Sequence, residues 1–276
     1  MKSFCFHQQS LLNSNPKEDF CWFSSEVPIF CVADGVTLNF DGEGEYPKES
    51  AVGEAAKIFC QTAVREGERR YDKFSESDIL EIFLVANDAV RQYNLSCGLK
   101  KDTINFWDKD FFSVTTAFAL VKNSKIYWWS LCDSAFALLD SRGTRRFLSP
   151  DGWKIFKKNI PQGWEQLSKK EKTIMLHRDF RNSTNPNGEL CGYGVANGEE
   201  SAALYLERGI KGVRPGDKFL IFTDGFENYI GFKEFLEIFR EWPNNLQNKL
   251  EDIVAIKSKE DSAKFGSEKT LIAVSI

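Results

Sequence analysis

The chain has no surplus of positive charge: 36 basic residues stand against 40 acidic ones, a net charge of −4. A nucleic-acid backbone is held largely by a basic field, so general nucleic-acid binding is excluded. No window approaches the ~18 apolar residues of a membrane span, and residues 1–10 lack the apolar stretch of a secretory leader. A soluble, cytoplasmic protein with no membrane partner is expected. The seven cysteines (Cys5, Cys21, Cys31, Cys60, Cys97, Cys132 and Cys191) include no C-x-x-C pair and no short repeated spacing, which argues against a zinc motif or a disulfide framework. Buried thiols in a reducing compartment are the expected state. Histidine is scarce, with only His7 and His177, and no internal repeat or low-complexity tract divides the chain.

What the chain does have is 42% hydrophobic residues, with 24 Phe and 7 Trp, enough for a layered aromatic core. Residues 3–8 alternate weakly, and β-branched and aromatic runs at 20–24 and 27–33 read as strands. Apolar residues at helical spacing predict a helix over 49–64, with Ser50 near its start. A second is predicted over 75–93, where Ser75-Glu76-Ser77-Asp78 supplies capping chemistry and Gly98 a stop. Residues 112–121, 125–131 and 135–139 read as three strands of an antiparallel meander. Further strands are expected at 203–209, 219–223 and 270–276, and helices at 164–180, 232–242 and 246–256. Turn signals interrupt the pattern between 141 and 192, where a mobile flap is expected over a single domain spanning 1–276. Strands, helices, strands, helices and a closing strand indicate antiparallel sheets covered by helices instead of alternating βαβ units. Trp128 and Trp129 read as core packing. The Gly42-Glu43-Gly44-Glu45 loop lacks the lysine of a phosphate-cradling loop.

Two segments share one local design. Ile29-Phe30-Cys31-Val32-Ala33-Asp34-Gly35 and Phe219-Leu220-Ile221-Phe222-Thr223-Asp224-Gly225 each end a hydrophobic strand on a carboxylate followed by glycine. Glycine lets the backbone turn closely past a bound ion, and carboxylate oxygens suit a hard cation. An isolated Asp-Gly is usually a turn; two copies after buried strands weaken that reading.

The order of the surrounding blocks resembles that of the type 2C protein serine/threonine phosphatases, in a divergent bacterial form. The blocks are Pro16-Lys17-Glu18-Asp19, Val32-Ala33-Asp34-Gly35-Val36-Thr37, Ser113-Val114-Thr115-Thr116-Ala117, Cys132-Asp133-Ser134, Pro215-Gly216-Asp217 before Thr223-Asp224-Gly225, and Lys269-Thr270-Leu271-Ile272. Gly192-Tyr193-Gly194-Val195 and Gly198-Glu199-Glu200 fit the bacterial variant. The resemblance implies an αββα sandwich of two antiparallel β-sheets flanked by helices, an α+β fold. It also implies two Mn2+ or Mg2+ ions, with Asp34 bridging both, the Gly35 carbonyl on one, Asp224 on the other and Glu18 holding coordinated water. Asp133 matches the acid of the family's Gly-Asp-Ser turn, with Cys132 in place of the glycine, and Asp19 completes the Glu-Asp pair. Metal-bound water has a far lower pKa than bulk water, and paired ions neutralise phosphoryl oxygens.

Three positions depart from the family pattern. Ser14 stands where a phosphate-gripping arginine is common, leaving Lys17 to supply charge without a bidentate fork. Ser267 stands at the last aspartate ligand, so Glu268, one residue on, is the expected substitute ahead of Asp261. Val36 replaces the histidine found in the eukaryotic branch. The expected activity is hydrolysis of phosphoserine or phosphothreonine in a phosphorylated protein. The departures leave two alternatives, a phosphatase-like binding or regulatory protein without turnover and a hydrolase of small phosphoesters.

Overall fold

The computed structural model describes residues 1–12, 16–36, 50–106 and 110–276. Ser14, Thr37, the loop Gly42 to Glu45, and Glu49 at the start of the first expected helix lie outside the described residues. The strands are β1 (Lys2–Gln8), β2 (Asp19–Phe23), β3 (Ile29–Gly35), β4 (Val114–Lys122), β5 (Lys125–Leu131), β6 (Ala135–Leu139), β7 (Arg145–Leu148), β8 (Glu207–Gly212), β9 (Lys218–Phe222) and β10 (Lys269–Ser275). The α-helices are α1 (Ala51–Arg70), α2 (Asp78–Ser96), α3 (Lys154–Lys158), α4 (Lys169–Met175), α5 (Lys233–Glu241), α6 (Leu246–Glu260) and α7 (Ser262–Phe265).

Two five-stranded antiparallel sheets, in the orders β1-β10-β9-β6-β7 and β2-β3-β4-β5-β8, lie between helical layers. Strand alternation explains the layering, because successive side chains point to opposite faces. Ile29, Cys31 and Ala33 of β3 pack with Phe118 and Trp129 against Ala56, Phe59 and Phe83 of α1 and α2. Phe30 and Val32 face the other way, meeting Phe136, Phe219, Ile221 and Ile272 between the sheets. Leu220, Phe222 and Leu271 face α5 and α6. The central strands are therefore apolar on both faces, which is why β3 reads as an unbroken hydrophobic run. Trp129 stacks on Phe118 at 4.0 Å and Trp128 on Phe136 at 5.3 Å, so both tryptophans are core residues. No helix among the described residues is long and apolar enough to cross a membrane.

Several expectations are corrected. The meander breaks after its second strand: β4 and β5 form a hairpin, but β6 joins the opposite sheet between β7 and β9. The crossing takes place at Cys132-Asp133-Ser134, where Cys132 adopts φ +61°, and it lets Phe136 and Leu138 fill the inter-sheet core. The strand expected at 203–209 starts only at Glu207. Residues Glu200–Tyr205 form a 3-10 turn instead, because the Tyr205 hydroxyl bonds the Ser183 carbonyl and the Gly192 N–H. The helix expected over 164–180 is cut: Ser168 and Glu171 form a capping box that starts α4 afresh. Residues 145–148 belong to a sheet, and α3 and α7 had no clear periodic signal.

Helix α1 is capped by Ser50, whose Oγ accepts from Gly53 N–H at 3.3 Å. At α2, Ser77 makes no cap bond; Asp78 instead accepts from the N–H and hydroxyl of Ser75 at 2.7 and 2.8 Å. Gly98, at φ +78°, ends α2 as expected. The cysteines are not all thiols: Cys5 on β1 and Cys21 on β2 are joined by a disulfide that staples the two sheets, while the other five are free. The sequence gives no short spacing for this pair because β1 and β2 meet only through tertiary packing.

Closing a loop of 16 residues restricts the unfolded chain by about 3 kcal/mol. The Cys5→Ser/Cys21→Ser protein should lose about that stability in urea unfolding under oxidising conditions and match the parent in excess reductant. Equal stability under both conditions would remove the staple from the account.

Candidate metal centre

The acidic residues named from the sequence converge at one edge of the sandwich. Asp19 and Asp34 are register partners across β2 and β3, and Asp224 follows β9 in a short 3-10 turn, Asp224–Phe226. Asp133 comes from the crossing turn after β5. Glu18 and Asp19 are buried, while Asp34, Asp133 and Asp224 are half-buried. The Asp34 carboxyl is hydrogen-bonded to those of both Asp19 and Asp224.

Backbone packing fixes this edge. A Cβ on Gly35 would lie 2.8 Å from the Val52 carbonyl carbon and oxygen, and one on Gly53 would lie 2.4 Å from the Lys17 carbonyl oxygen. The start of α1 can rest on the Asp34-Gly35 corner only because both positions are glycine. Gly35 N–H donates to the Glu18 carbonyl at 3.2 Å, and Ser50, besides capping α1, donates to Glu18 Oε1 at 2.9 Å. Gly225 serves the other aspartate in the same way, since a Cβ there would lie 2.1 Å from the Glu268 carbonyl oxygen.

Threonines and a tryptophan orient the acids. Thr223 Oγ1 donates to Asp19 Oδ2 at 2.7 Å, and its hydroxyl oxygen accepts from Thr270 N–H at 2.9 Å. The Thr270 side chain also bonds Asp19. Thr115 and Ser134 share a hydroxyl hydrogen bond at 2.9 Å that ties β4 to the Asp133 turn. Trp153 Nε1–H donates to Asp133 Oδ2 at 3.0 Å, while Asp133 Oδ1 is buried without a protein partner.

Electrostatics carry the strain. Burial, then repulsion from Asp19, Asp224 and Asp133, pushes the Asp34 carboxyl well above the usual range. Asp224 is pushed up to about 8 by burial and by Asp133 and Asp19. Asp19 is raised to about 6, mainly by burial. These groups fit hard divalent cations: oxygen donors converge, one buried oxygen lacks a partner, and the crowding is of one sign.

The other named residues fall as follows. Glu268 lies on the Asp19 side of the cluster, accepting from the N–H groups of Glu18 and Asp19 at 3.1–3.2 Å; burial and the Asp19 charge raise it to about 7. Lys17 is exposed, with its ammonium 5.7 Å from the Phe20 ring centroid. Asp217 is structural, accepting from Arg146 at 2.9 Å and from Arg214 N–H at 3.0 Å. Asp261 caps α7. Val36 packs against a small aromatic cluster around Phe156 and Tyr193.

Sequence reasoning missed three residues. His7 reaches the centre from β1, with Nδ1 3.0 Å from Thr270 Oγ1; burial and the Lys17 charge lower its pKa to about 4. Lys269 is fully buried, and desolvation brings it down to about 8 against the pull of Asp19, Asp224 and Glu268. Trp153 lay in a stretch with weak patterning. No local motif marks His7, since its partner is 263 residues away.

No family model and no curated protein matches the chain. Solved structures do. The S. agalactiae serine/threonine phosphatase superposes with a TM-score of 0.63 at 15% identity, covering 100% of this chain and 99% of that one. PppA, a regulatory component of T6SS in Pseudomonas aeruginosa, gives 0.62 at 14% identity, covering 100% and 97%. The catalytic domain of the serine/threonine phosphatase PstP, solved with two manganese ions, gives 0.59 at 12% identity, covering 99% and 96%. At these identities the likeness establishes the fold, and that fold is the sandwich the motif order implied.

The raised carboxyl groups set a pH dependence. Folded Asp34, Asp224, Asp19 and Glu268 keep protons that the unfolded chain releases near pH 4. The folded state then binds more protons than the unfolded one, so stability without divalent ions falls as pH rises from about 4 to about 8. Thermal midpoints in chelator should drop across that window, and Mn2+ should restore them most at its upper end, with proton release on binding. A chelated midpoint that rises with pH would contradict the described charge arrangement.

Proposed function

We propose that this chain is a metal-dependent phosphoprotein phosphatase acting on phosphoserine and phosphothreonine, with a centre for two Mn2+ or Mg2+ ions. The observation that carries the reading is the convergence of Asp19, Asp34, Asp133 and Asp224 on one edge of this sandwich, where burial and the neighbouring charges raise the Asp19, Asp34 and Asp224 carboxyl groups. The PstP domain of the same fold binds two manganese ions.

In this reading Asp34, Asp224, Asp133 and the Gly35 carbonyl would hold the ions, with Glu18 beside them. Glu268 is the remaining carboxylate for an ion on the Asp19 side. When bound, the ions supply an ionised water at neutral pH and neutralise phosphoryl oxygens. The chain's own residues hold that chemistry in place. Ser50 fixes the Glu18 carboxylate, Thr223 fixes Asp19, and Trp153 fixes one oxygen of Asp133. Lys17, exposed beside the cluster, supplies positive charge for the substrate phosphate in place of an arginine fork; Ser14, at the arginine position, lies outside the described residues.

The substrate is a phosphorylated protein, and the location is cytoplasmic, where the Cys5–Cys21 pair forms its disulfide only under oxidising conditions. We take residues 1–276 as one domain and assign substrate selection to the segment within 141–192. Its support is physical attachment: Trp153 bonds Asp133 and stacks on Tyr193 at 4.6 Å. Ser267, standing at the last ligand position, motivates the second reading, a binding or regulatory protein of the same fold without turnover.

Hydrolysis of a small aryl phosphate with Mn2+, Mg2+ or chelator is the test. Turnover should require a divalent ion and fall on the order of 100-fold or more in Asp34→Asn and in Asp224→Asn. Phosphopeptides should outperform small phosphates at matched concentration. Absence of turnover with either ion, on aryl phosphate and phosphopeptide alike, would favour the binding protein.

A further inference from the structure

A second set of metal-ligating atoms lies beside the Asp34–Asp224 pair. His7, Asp19 and Glu268 each present one ligand atom, and the three atoms lie within 4.8 Å of one another. They come from both sheets: His7 from β1, Glu268 from the residue before β10, and Asp19 from β2. The donors therefore meet at the seam of the sandwich, where β1 and β10 are paired in one sheet and β2 begins in the other.

Each donor is held from behind. Thr223 fixes Asp19 at 2.7 Å, and the N–H groups of Glu18 and Asp19 hold the Glu268 carboxylate. The Thr270 hydroxyl fixes His7 through Nδ1 at 3.0 Å. His7 Nε2 then faces Glu268 Oε1 at 3.7 Å, beyond hydrogen-bond range. That separation is near the ~3.4 Å expected between two ligands of a tetrahedral ion with bonds of about 2.1 Å. An imidazole fixed at one nitrogen, with the other turned toward carboxylates, is how proteins orient a metal-binding histidine.

We infer that His7, Asp19 and Glu268 form a cation site with one nitrogen and two oxygen donors, selective for a first-row transition-metal dication over Mg2+. The site rests on the centre proposed above, sharing Asp19 and Glu268 with it and adding His7 as a nitrogen donor, while its binding is read separately from turnover at Asp34 and Asp224. Selectivity follows from the donors and their surroundings. Imidazole favours transition-metal ions, whereas Mg2+ favours carboxylate and water oxygens. The ammonium groups of Lys17 and Lys269 also act on this cluster, which weakens any ion held by charge alone; Lys269 is engaged by the Ser267 carbonyl. An incoming ion competes with the Gln9 amide, which also bonds the His7 ring.

The test is calorimetric titration of the metal-free full chain with Mn2+, Zn2+ or Mg2+, with pulsed EPR of the Mn2+-loaded protein. The Asp34→Asn variant should still bind one Mn2+ or Zn2+ and show nitrogen coupling to manganese. Adding His7→Gln should weaken that ion about tenfold or more, abolish the coupling and leave Mg2+ binding unchanged. Glu268→Gln, which keeps the side-chain shape, should weaken the same ion and covers the case in which His7→Gln fails to fold. If the parent binds Mn2+ without nitrogen coupling, or Asp34→Asn removes all binding, the His7 site is overturned and the phosphatase centre is untouched. Nitrogen coupling without metal-dependent turnover would keep the site and fail the phosphatase reading.

Discussion

Repulsion between buried carboxylates is the constraint around which this fold is arranged. Asp19, Asp34 and Asp224 share hydrogen bonds or charge contacts at one edge of two packed sheets, and Asp133 adds to the same field. Ionised acids this close are costly to bury unless protons, cations or donors compensate. The scaffold answers with backbone close packing, and with the ammonium groups of buried Lys269 and of Lys17. Gly35, Gly53 and Gly225 remove every Cβ that would stop α1 or the β10 entry from closing on the cluster. Backbone N–H groups take up Glu268.

The same edge joins the sheets. Thr223 at the end of β9 bonds Asp19 at the start of β2, and Thr270 bonds Thr223, Asp19 and His7. These contacts continue the inter-sheet core of Phe30, Phe136, Phe219 and Ile272 into a polar seam. A hydrogen-bond network whose members come from both sheets positions acids only when the sandwich has closed. Folding and assembly of the centre are therefore one event, and the Cys5–Cys21 staple acts on the same β1–β2 interface.

Much of this was legible in the sequence, and the parts that were not share a cause. The Asp-Gly ends of β3 and β9 stood out because an apolar run followed by a carboxylate and a glycine is local information. Strands β5 and β6 were bounded correctly for the same reason, as their turns are local. Their sheet membership was not, because periodicity describes a strand's faces and not its partner; β6 crosses to the second sheet on the strength of Phe136 and Leu138 packing. His7 was invisible for the same reason, since its value lies in register with Thr270 at the far end of the chain. Tyr205 shows the reverse failure, a residue with strand propensity drawn into a turn by two hydrogen bonds.

The Cys132-Asp133-Ser134 turn is held in place by the segment that follows β7. Cys132 holds φ +61°, a left-handed conformation that suits glycine and costs a side chain about 1–2 kcal/mol. Gly152 makes room for it, since a Cβ there would lie 2.4 Å from the Cys132 Cα. The Cys132 side chain is itself buried beside Phe156, Tyr193 and Val195, so part of the backbone cost is offset by apolar burial. The absence of a side chain at position 152 is what allows its segment to lie on the turn. Trp153, the next residue, thereby reaches Asp133. The helices beyond it follow through Phe156, which contacts Trp153, Trp164 and Phe180 edge-on, while Asp110 clamps His177 at 2.5 Å and Arg181 at 2.8 Å. The acidic turn is thus tied to this segment through one hydrogen bond and one aromatic cluster, so the orientation of the Asp133 carboxylate depends on how residues 152–181 pack.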